Sequence, residues 1–204
     1  MVVEDARKGD MPHLEKDARR ITDAAEIMQA LLSELLQLSR IGKIINLPQP
    51  TPFALLVSEA VELLDGPLAE RGVRVEIAPN LPVVNVDHVR IREVLINLLE
   101  NAIKFLGSQP DPVIRIGVDH SGTEPVFFVQ DNGIGINPRY LDRIFNLFER
   151  LNVTVYGTGI GLPIVRRIIE VHGGKIWAES EGEGRGTTFR FTLPVADASP
   201  EKRD

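Results

Sequence analysis

The chain has 204 residues, 43% of them apolar, with 23 Lys plus Arg against 29 Asp plus Glu and a net charge of −6. That length fits one ordinary domain with an appendage, and the acidic balance argues against a nucleic-acid surface, which needs a basic face. The absence of cysteine excludes disulfides, a thiolate nucleophile and thiolate-bound metal, and no apolar run approaches the ~18 residues of a membrane span. Residues 1–10 are too polar for a signal peptide.

The first element is a long helix over residues 11–41. Leu14, Ile21, Met28 and Leu35 recur every seven residues, with Ala24, Leu31 and Leu38 and with Ala18, Ala25 and Leu32 filling the same face. The result is a wide apolar stripe on a helix about 46 Å long. Such a stripe lies either on its own domain or against a second chain in a coiled coil or four-helix bundle, and the length favours the second. Residues 46–52 carry three prolines and stop the helix.

Beyond them the pattern alternates. Residues 53–64 read as a helix and 73–78 as a strand. Asp87 is placed to cap a helix running to about residue 105. Val113–Asp119 and residues 126–130 read as strands around a turn at Ser121 and Gly122, and 138–145 as a short helix. Residues 161–172 form another helix, with Pro163 in its first turn and Gly173 and Gly174 ending it. Residues 175–180 and 187–193 complete a second hairpin, and 195–204 read as a polar tail. Helices on one face of a mixed, mostly antiparallel sheet give an α/β fold, a two-layer sandwich preceded by a long helix. The expected division is 1–46, 47–194 and 195–204.

Chemistry gathers in three places. Asp131, Asn132, Gly133, Ile134, Gly135 and Ile136 follow directly on a strand. Two glycines two apart let backbone come close to a flat ligand, and a carboxylate there can accept a hydrogen bond from an exocyclic amine; the same residues are also ordinary turn chemistry. Gly157, Thr158, Gly159, Ile160 and Gly161 run straight into a helix, exposing N–H groups at its positive end in a way that suits phosphate, or simply making a tight entry. The loop lacks both the preceding parallel strand of a Rossmann unit and the lysine and hydroxyl of a P-loop. Asn97, Asn101 and Lys104 stand at i, i+4 and i+7 on one helix face, with Leu95, Leu98, Ala102 and Phe105 turned elsewhere. Two amides and a lysine are what Mg²⁺-triphosphate wants, although a solvated polar stripe has the same pattern.

In this order and spacing the motifs resemble the catalytic, ATP-binding domain of sensor histidine kinases, in the GHKL (Bergerat-fold) superfamily. The likeness covers about residues 52–194. Residues 97–104 resemble the family's N box, 131–136 its G1 box, 144–148 its F box and 157–162 its G2 box, while 182–194 resemble its closing glycine turn and strand. The long helix resembles the second helix of the dimerisation and phosphotransfer hairpin.

The resemblance implies a Bergerat ATP-binding fold with ATP and Mg²⁺ as cofactors. Asp131 would read the adenine amine, with a water shared by Thr188, and Gly133 and Gly135 would let the loop approach the base beside Ile136. Asn101 would ligate Mg²⁺, and Asn97 and Lys104 would contact phosphate. Gly157, Thr158, Gly159 and Gly161 would shape the phosphate-side turn, with Leu162 behind it. Phe145 and Phe148 would pack the base of a lid over 137–156, or simply the core, and Arg150 would reach phosphate. The implied partners are a second copy of the chain through the long helix and a response regulator receiver domain, with no nucleic acid and no membrane contact. The implied location is the cytoplasm, including the cytoplasmic part of a membrane-bound sensor.

Two departures stand out. The family's phosphoacceptor is a histidine followed by an acidic residue, and His13, His88, His120 and His172 are followed by Leu, Val, Ser and Gly. The expectation is therefore a fragment that begins after the acceptor helix. Residues 151–156, in the lid, carry no charge. Gyrase-like and chaperone-like ATPases of the superfamily place a glutamate base where Asn97 stands, which favours the kinase. The leading helix argues against a serine kinase of the anti-sigma type, and the intact Asn101, Asp131 and glycines against a decayed docking module.

Overall fold

The computed structural model describes residues 11–41, 46–149, 151 and 158–196. The chain divides into two compact units, Met1–Ser39 and Arg40–Asp204. Helix α1 spans Met11–Arg40, all but its last residue in the first unit. Its stripe is largely open to solvent, with Ile21 and Met28 each 59% exposed. A helix with one apolar face and no cover draws little stability from propensity alone.

The second unit starts with a feature that the sequence reading treated only as a helix stop. Strand β1, Gln49–Pro52, pairs antiparallel with β3, Val83–Val86, in the register Gln49↔Val86 to Pro52↔Val83. Pro50 and Pro52 carry no N–H, which confines β1 to a sheet edge. On the other side of β3, Val84 bridges Val195, and Ala196 donates its N–H to the Val83 carbonyl at 3.0 Å. The expected tail at 195–204 thus begins with residues that belong to the folded body.

Helix α2 covers Phe53–Leu63, close to expectation. A short helix, α3 at Asp65–Glu70, was not anticipated, and β2 follows at Arg74–Ile77. Helix α4 is His88–Lys104, and Asp87 caps it as expected, accepting from the N–H groups of Val89 and Arg90. Strands β4, Val113–Asp119, and β5, Val126–Asp131, form the first hairpin. The short helix expected at 138–145 resolves into two 3₁₀ turns, Pro138–Tyr140 and Arg143–Phe145. Helix α5, Gly161–Val171, precedes β6, Ile176–Glu179, and β7, Thr187–Thr192.

The main sheet runs β2-β4-β5-β7-β6. Only the β2–β4 pair is parallel; the other three are antiparallel. Burial alternates along β5, so Phe127, Val129 and Asp131 turn into the helix layer while Phe128 and Gln130 face away. The core between the layers is built from Leu56 and Val57 of α2, Ile91, Leu95 and Leu98 of α4, and Val165 and Ile168 of α5. At its centre Phe53 sits 4.5 Å from Phe127 and 6.3 Å from Phe191, ring centre to ring centre, and Phe127 stacks on Phe191 at 5.7 Å. This mixed sheet with helices on one face is the two-layer α/β arrangement read from the sequence.

The aromatic trio ties α2 to the two central strands, so truncating its middle ring leaves a cavity that the sheet cannot collapse into. Phe127→Ala should lower unfolding stability by about 3–5 kcal/mol in urea titration. A loss below about 1 kcal/mol would show that the trio is not the anchor of the core.

Candidate functional site: a buried carboxylate between two helix ends

Asp131 ends β5 on the helix side of the sheet and is buried to 7% exposure. Its Oδ1 accepts the backbone N–H of Gly133 at 2.8 Å and of Thr187 at 3.2 Å. Burial pushes its pKa up to about 6, against the opposing pull of these N–H groups. With both bonds on Oδ1, the carboxylate's second oxygen is the atom suited to a ligand donor.

The loop after Asp131 is clamped on two sides. Ile134 donates its N–H to the Phe105 carbonyl at 2.9 Å, while Gly184 and Gly186 donate to the carbonyls of Ile134 and Gly133 at 2.7 and 3.1 Å. A Cβ at Gly133 would run into the Phe105 carbonyl oxygen. Gly135 has φ +70°, and a Cβ there would strike the Gly182 carbonyl. Both glycines therefore have a packing reason of their own. Ser180, which the sequence reading passed over, holds this clamp: its Oγ accepts from Ile136 N–H at 3.0 Å and donates to the Gly186 carbonyl at 2.6 Å. Its only sequence signal was a hydroxyl two residues before Gly182, where the glycine turn begins.

Thr188 is not where it was expected. Residues alternate along β7, so Thr187 pairs with Asp131 on the helix side and Thr188 pairs with Gln130 on the opposite face. Thr188 lines a groove of about 300 Å³ on that outer face, with Asp119, His120, Phe128 and Arg190 among its neighbours. The threonine beside the carboxylate is Thr187, buried at 6% exposure.

Helix α4 carries Asn97, Asn101 and Lys104, all half-buried. Nδ2 of Asn97 donates to the Glu93 carbonyl at 3.0 Å and Nδ2 of Asn101 to the Asn97 carbonyl at 2.9 Å. Each amide is thereby oriented with Oδ1 as the atom available to a cation or a donor. Asn97 Oδ1 would be 2.9 Å from a Cβ at Gly161, so the amide face of α4 meets the start of α5. The Lys104 ammonium lies 5.3 Å from the Phe105 ring centre, at the α4 end that carries the Asp131 loop.

At that start of α5, Ile160 is fully buried and its N–H donates to Thr158 Oγ1 at 3.4 Å. Gly159, with φ +76°, accepts from Phe148 N–H at 3.1 Å. Leu162 and the buried Pro163 form the first turn. Phe145 is buried edge-on against Phe189, centroids 6.4 Å apart, which is core packing, whereas Phe148 is 55% exposed. Gly157 and Arg150 lie outside the described residues, as do 152–156 of the expected lid.

Among the described residues no group of three His, Asp or Glu side chains could hold a metal ion. A divalent cation at this site would rest on an amide oxygen together with the oxygens of its own ligand, the coordination that Mg²⁺ accepts. A buried acceptor at one end, a helix N-terminus and two amide oxygens near the other fit an amine-bearing base carrying phosphates.

The raised pKa of Asp131 has a measurable consequence. The folded chain holds this proton more tightly than the unfolded chain, so the group's contribution to stability is complete below about pH 4 and is lost as pH rises through about 6. Carbon NMR of the Asp131 carboxyl should give a midpoint near 6. A midpoint near 3.8 would mean that the carboxylate stays hydrated.

A family description that reads histidine kinase-, DNA gyrase B-, and HSP90-like ATPase matches residues 86–197. The chain is 46% identical over 192 residues to the methanogenesis regulatory histidine kinase FilI of Methanothrix harundinacea, covering 94% of this chain and 22% of that protein. It is 42% identical over 170 residues to cyanobacterial phytochrome B of Nostoc sp., covering 81% of this chain and again 22% of the relative. Full-length ShkA, solved in complex with AMPPNP, aligns with a TM-score of 0.72 at 27% identity over 92% of this chain and 40% of its own. Histidine kinase ThkA, solved in complex with the response regulator protein TrrA, aligns with a TM-score of 0.69 at 28% identity over 93% of this chain and 53% of its own. The chain thus spans about a fifth of the length of these two curated relatives. With residues 86–197 taking in the capped helix, the buried Asp131 and the glycine-led start of α5, the chain belongs to the histidine kinase-, DNA gyrase B- and HSP90-like ATPase family.

Proposed function

We propose that this chain is the ATP-binding catalytic part of a two-component sensor histidine kinase, serving transfer of the γ-phosphoryl group of Mg-ATP to a histidine outside the chain. The observation that carries the reading is the buried Asp131 carboxylate, held through Oδ1 by two backbone N–H groups. The names of the relatives and the AMPPNP bound to ShkA support it. ATP, when bound, supplies the phosphoryl group for transfer, and Mg²⁺ neutralises its charge.

The chain's own residues bind and orient. Asp131 accepts from the base amine, Asn101 offers Oδ1 to the cation, and Asn97 and Lys104 face phosphate. Gly159, Gly161 and the N-terminus of α5 receive phosphate oxygens. Such positioning is most of what catalysis of phosphoryl transfer asks of a protein. Asn97 matters also for what it does not do. An amide cannot take a proton from water, so the site lacks the base that a hydrolase needs there, and bound nucleotide is kept for transfer.

The exposed stripe of α1 is assigned to a second copy of the chain, and the ThkA–TrrA complex supports a receiver domain as the recipient of phosphate. Both the nucleotide and that partner belong on the cytoplasmic side.

Asp131→Asn should weaken ATP binding by about one to two decades in calorimetry, because an amide can turn its own donor toward the base amine. Equal affinity in the two forms would take Asp131 out of the site. Asn101→Ala should leave binding in EDTA nearly unchanged and shrink the gain on adding Mg²⁺. An intact Mg²⁺ gain would move the metal elsewhere. Given γ-labelled ATP, the chain should bind nucleotide without labelling itself, and acid-labile label should appear on an added histidine-bearing acceptor helix. Stoichiometric label on His13 would overturn the assignment of the acceptor to another segment.

A further inference from the structure

Helices α4 and α5 meet at two points, the middle of α4 against the start of α5 and the start of α4 against the end of α5. At the nucleotide end, Asn97 Oδ1 abuts Gly161. At the far end, the backbone N–H of Asp87 donates to Nε2 of His172 at 3.1 Å. The two contacts are ten residues apart on α4 and eleven apart on α5, about 15 Å along each helix.

The far end is built from fully specified hydrogen bonds. His172 Nδ1 lies 2.8 Å from the Ile168 carbonyl oxygen. A carbonyl only accepts and a backbone N–H only donates, so Nδ1 carries the proton and Nε2 the lone pair. Asp87 Oδ1 caps α4 by accepting from Val89 and Arg90 at 3.1 and 3.3 Å. Its Oδ2 accepts from both the backbone N–H and Nδ2 of Asn46, each at 3.1 Å. One residue therefore joins the start of α4, the end of α5 and Asn46, which in sequence follows the last residue of α1 by six positions.

We propose that His172 is a positioning residue that couples occupancy of the nucleotide site, through Asp87, to the segment at Asn46 where the chain arrives from α1. The proposal rests on the nucleotide reading of the site. A phosphate held at the N-terminus of α5 acts on a stiff helix of eleven residues whose other end is His172. A displacement at one end of a three-turn helix is carried along its axis by its continuous hydrogen-bond ladder. The made and broken forms of the Asp87–His172 bond are the two states that nucleotide biases. Loading the site would thus fix Asn46 without any ligand contact there.

Hydrogen exchange with Mg²⁺ and AMPPNP tests this. In the unaltered chain, nucleotide should slow exchange of the Asn46 amide by about tenfold. His172→Phe keeps a ring of similar bulk and deletes both bonds. It should bind AMPPNP within about twofold of the unaltered affinity and protect β5 as before, yet lose the slowing at Asn46. His172→Gln, which offers a donor and an acceptor in one amide, should restore part of it. Binding with β5 protected but Asn46 unaffected in the unaltered chain overturns the coupling and leaves the functional reading standing. So does full slowing in His172→Phe. No binding at all overturns both, and the response of the unaltered chain decides the point even if the Phe variant fails to fold.

Discussion

The structure is organised around a carboxylate taken out of water. Burying Asp131 costs several kcal/mol unless its oxygens find donors. Gly133 and Thr187 supply two N–H groups, but only if the chain on both sides of Asp131 folds back tightly. That demand explains the local composition. Gly133 must lie against the Phe105 carbonyl, Gly135 must take a left-handed conformation under Gly182, and Ser180 must tie Ile136 to Gly186. The pKa of about 6 says that these bonds do not fully replace the lost water. A ligand that donates to the remaining oxygen recovers part of that cost, which is a reason for the site to bind an amine rather than stay closed.

Asp131 reaches this position through the sheet. Phe127, Val129 and Asp131 share one face of β5, so the ring of Phe127, wedged between Phe53 and Phe191, fixes the register that points Asp131 inward. A slip of one residue would send the carboxylate to the outer face with Phe128 and Gln130. Core packing and site chemistry are the same constraint at this strand.

The helix layer adds the second half. Helix α4 brings amide oxygens and helix α5 brings an N-terminus, and neither is useful unless they meet at Asn97 and Gly161. Their opposite ends are closed by Asp87 and His172. The two contacts lie about 15 Å apart along the helices, so the helix layer that carries the site is held at both places.

Much of this was legible in the sequence because much of it is local. The 3.6-residue and 2-residue periods announced α4, α5 and the two hairpins, the Asp87 cap lies within four consecutive residues, and Asn97, Asn101 and Lys104 share a face by spacing alone. Asp131 and its glycines were equally visible, as residues that combine a carboxylate with freedom of φ. What the sequence could not settle depends on residues far apart in the chain. Gln49–Pro52 looked only like a helix stop, since prolines hide a strand whose partner lies beyond two helices, at Val83–Val86. Thr187 and Thr188 are indistinguishable neighbours until β7 is laid in register beside β5. Ser180 and His172 gain their roles only when loops and helix ends from distant segments close on them. Local propensity and spacing determined which elements form and which residues share a face. Long-range register and hydrogen bonding, fixed only when the core closes, decided which of those residues meet.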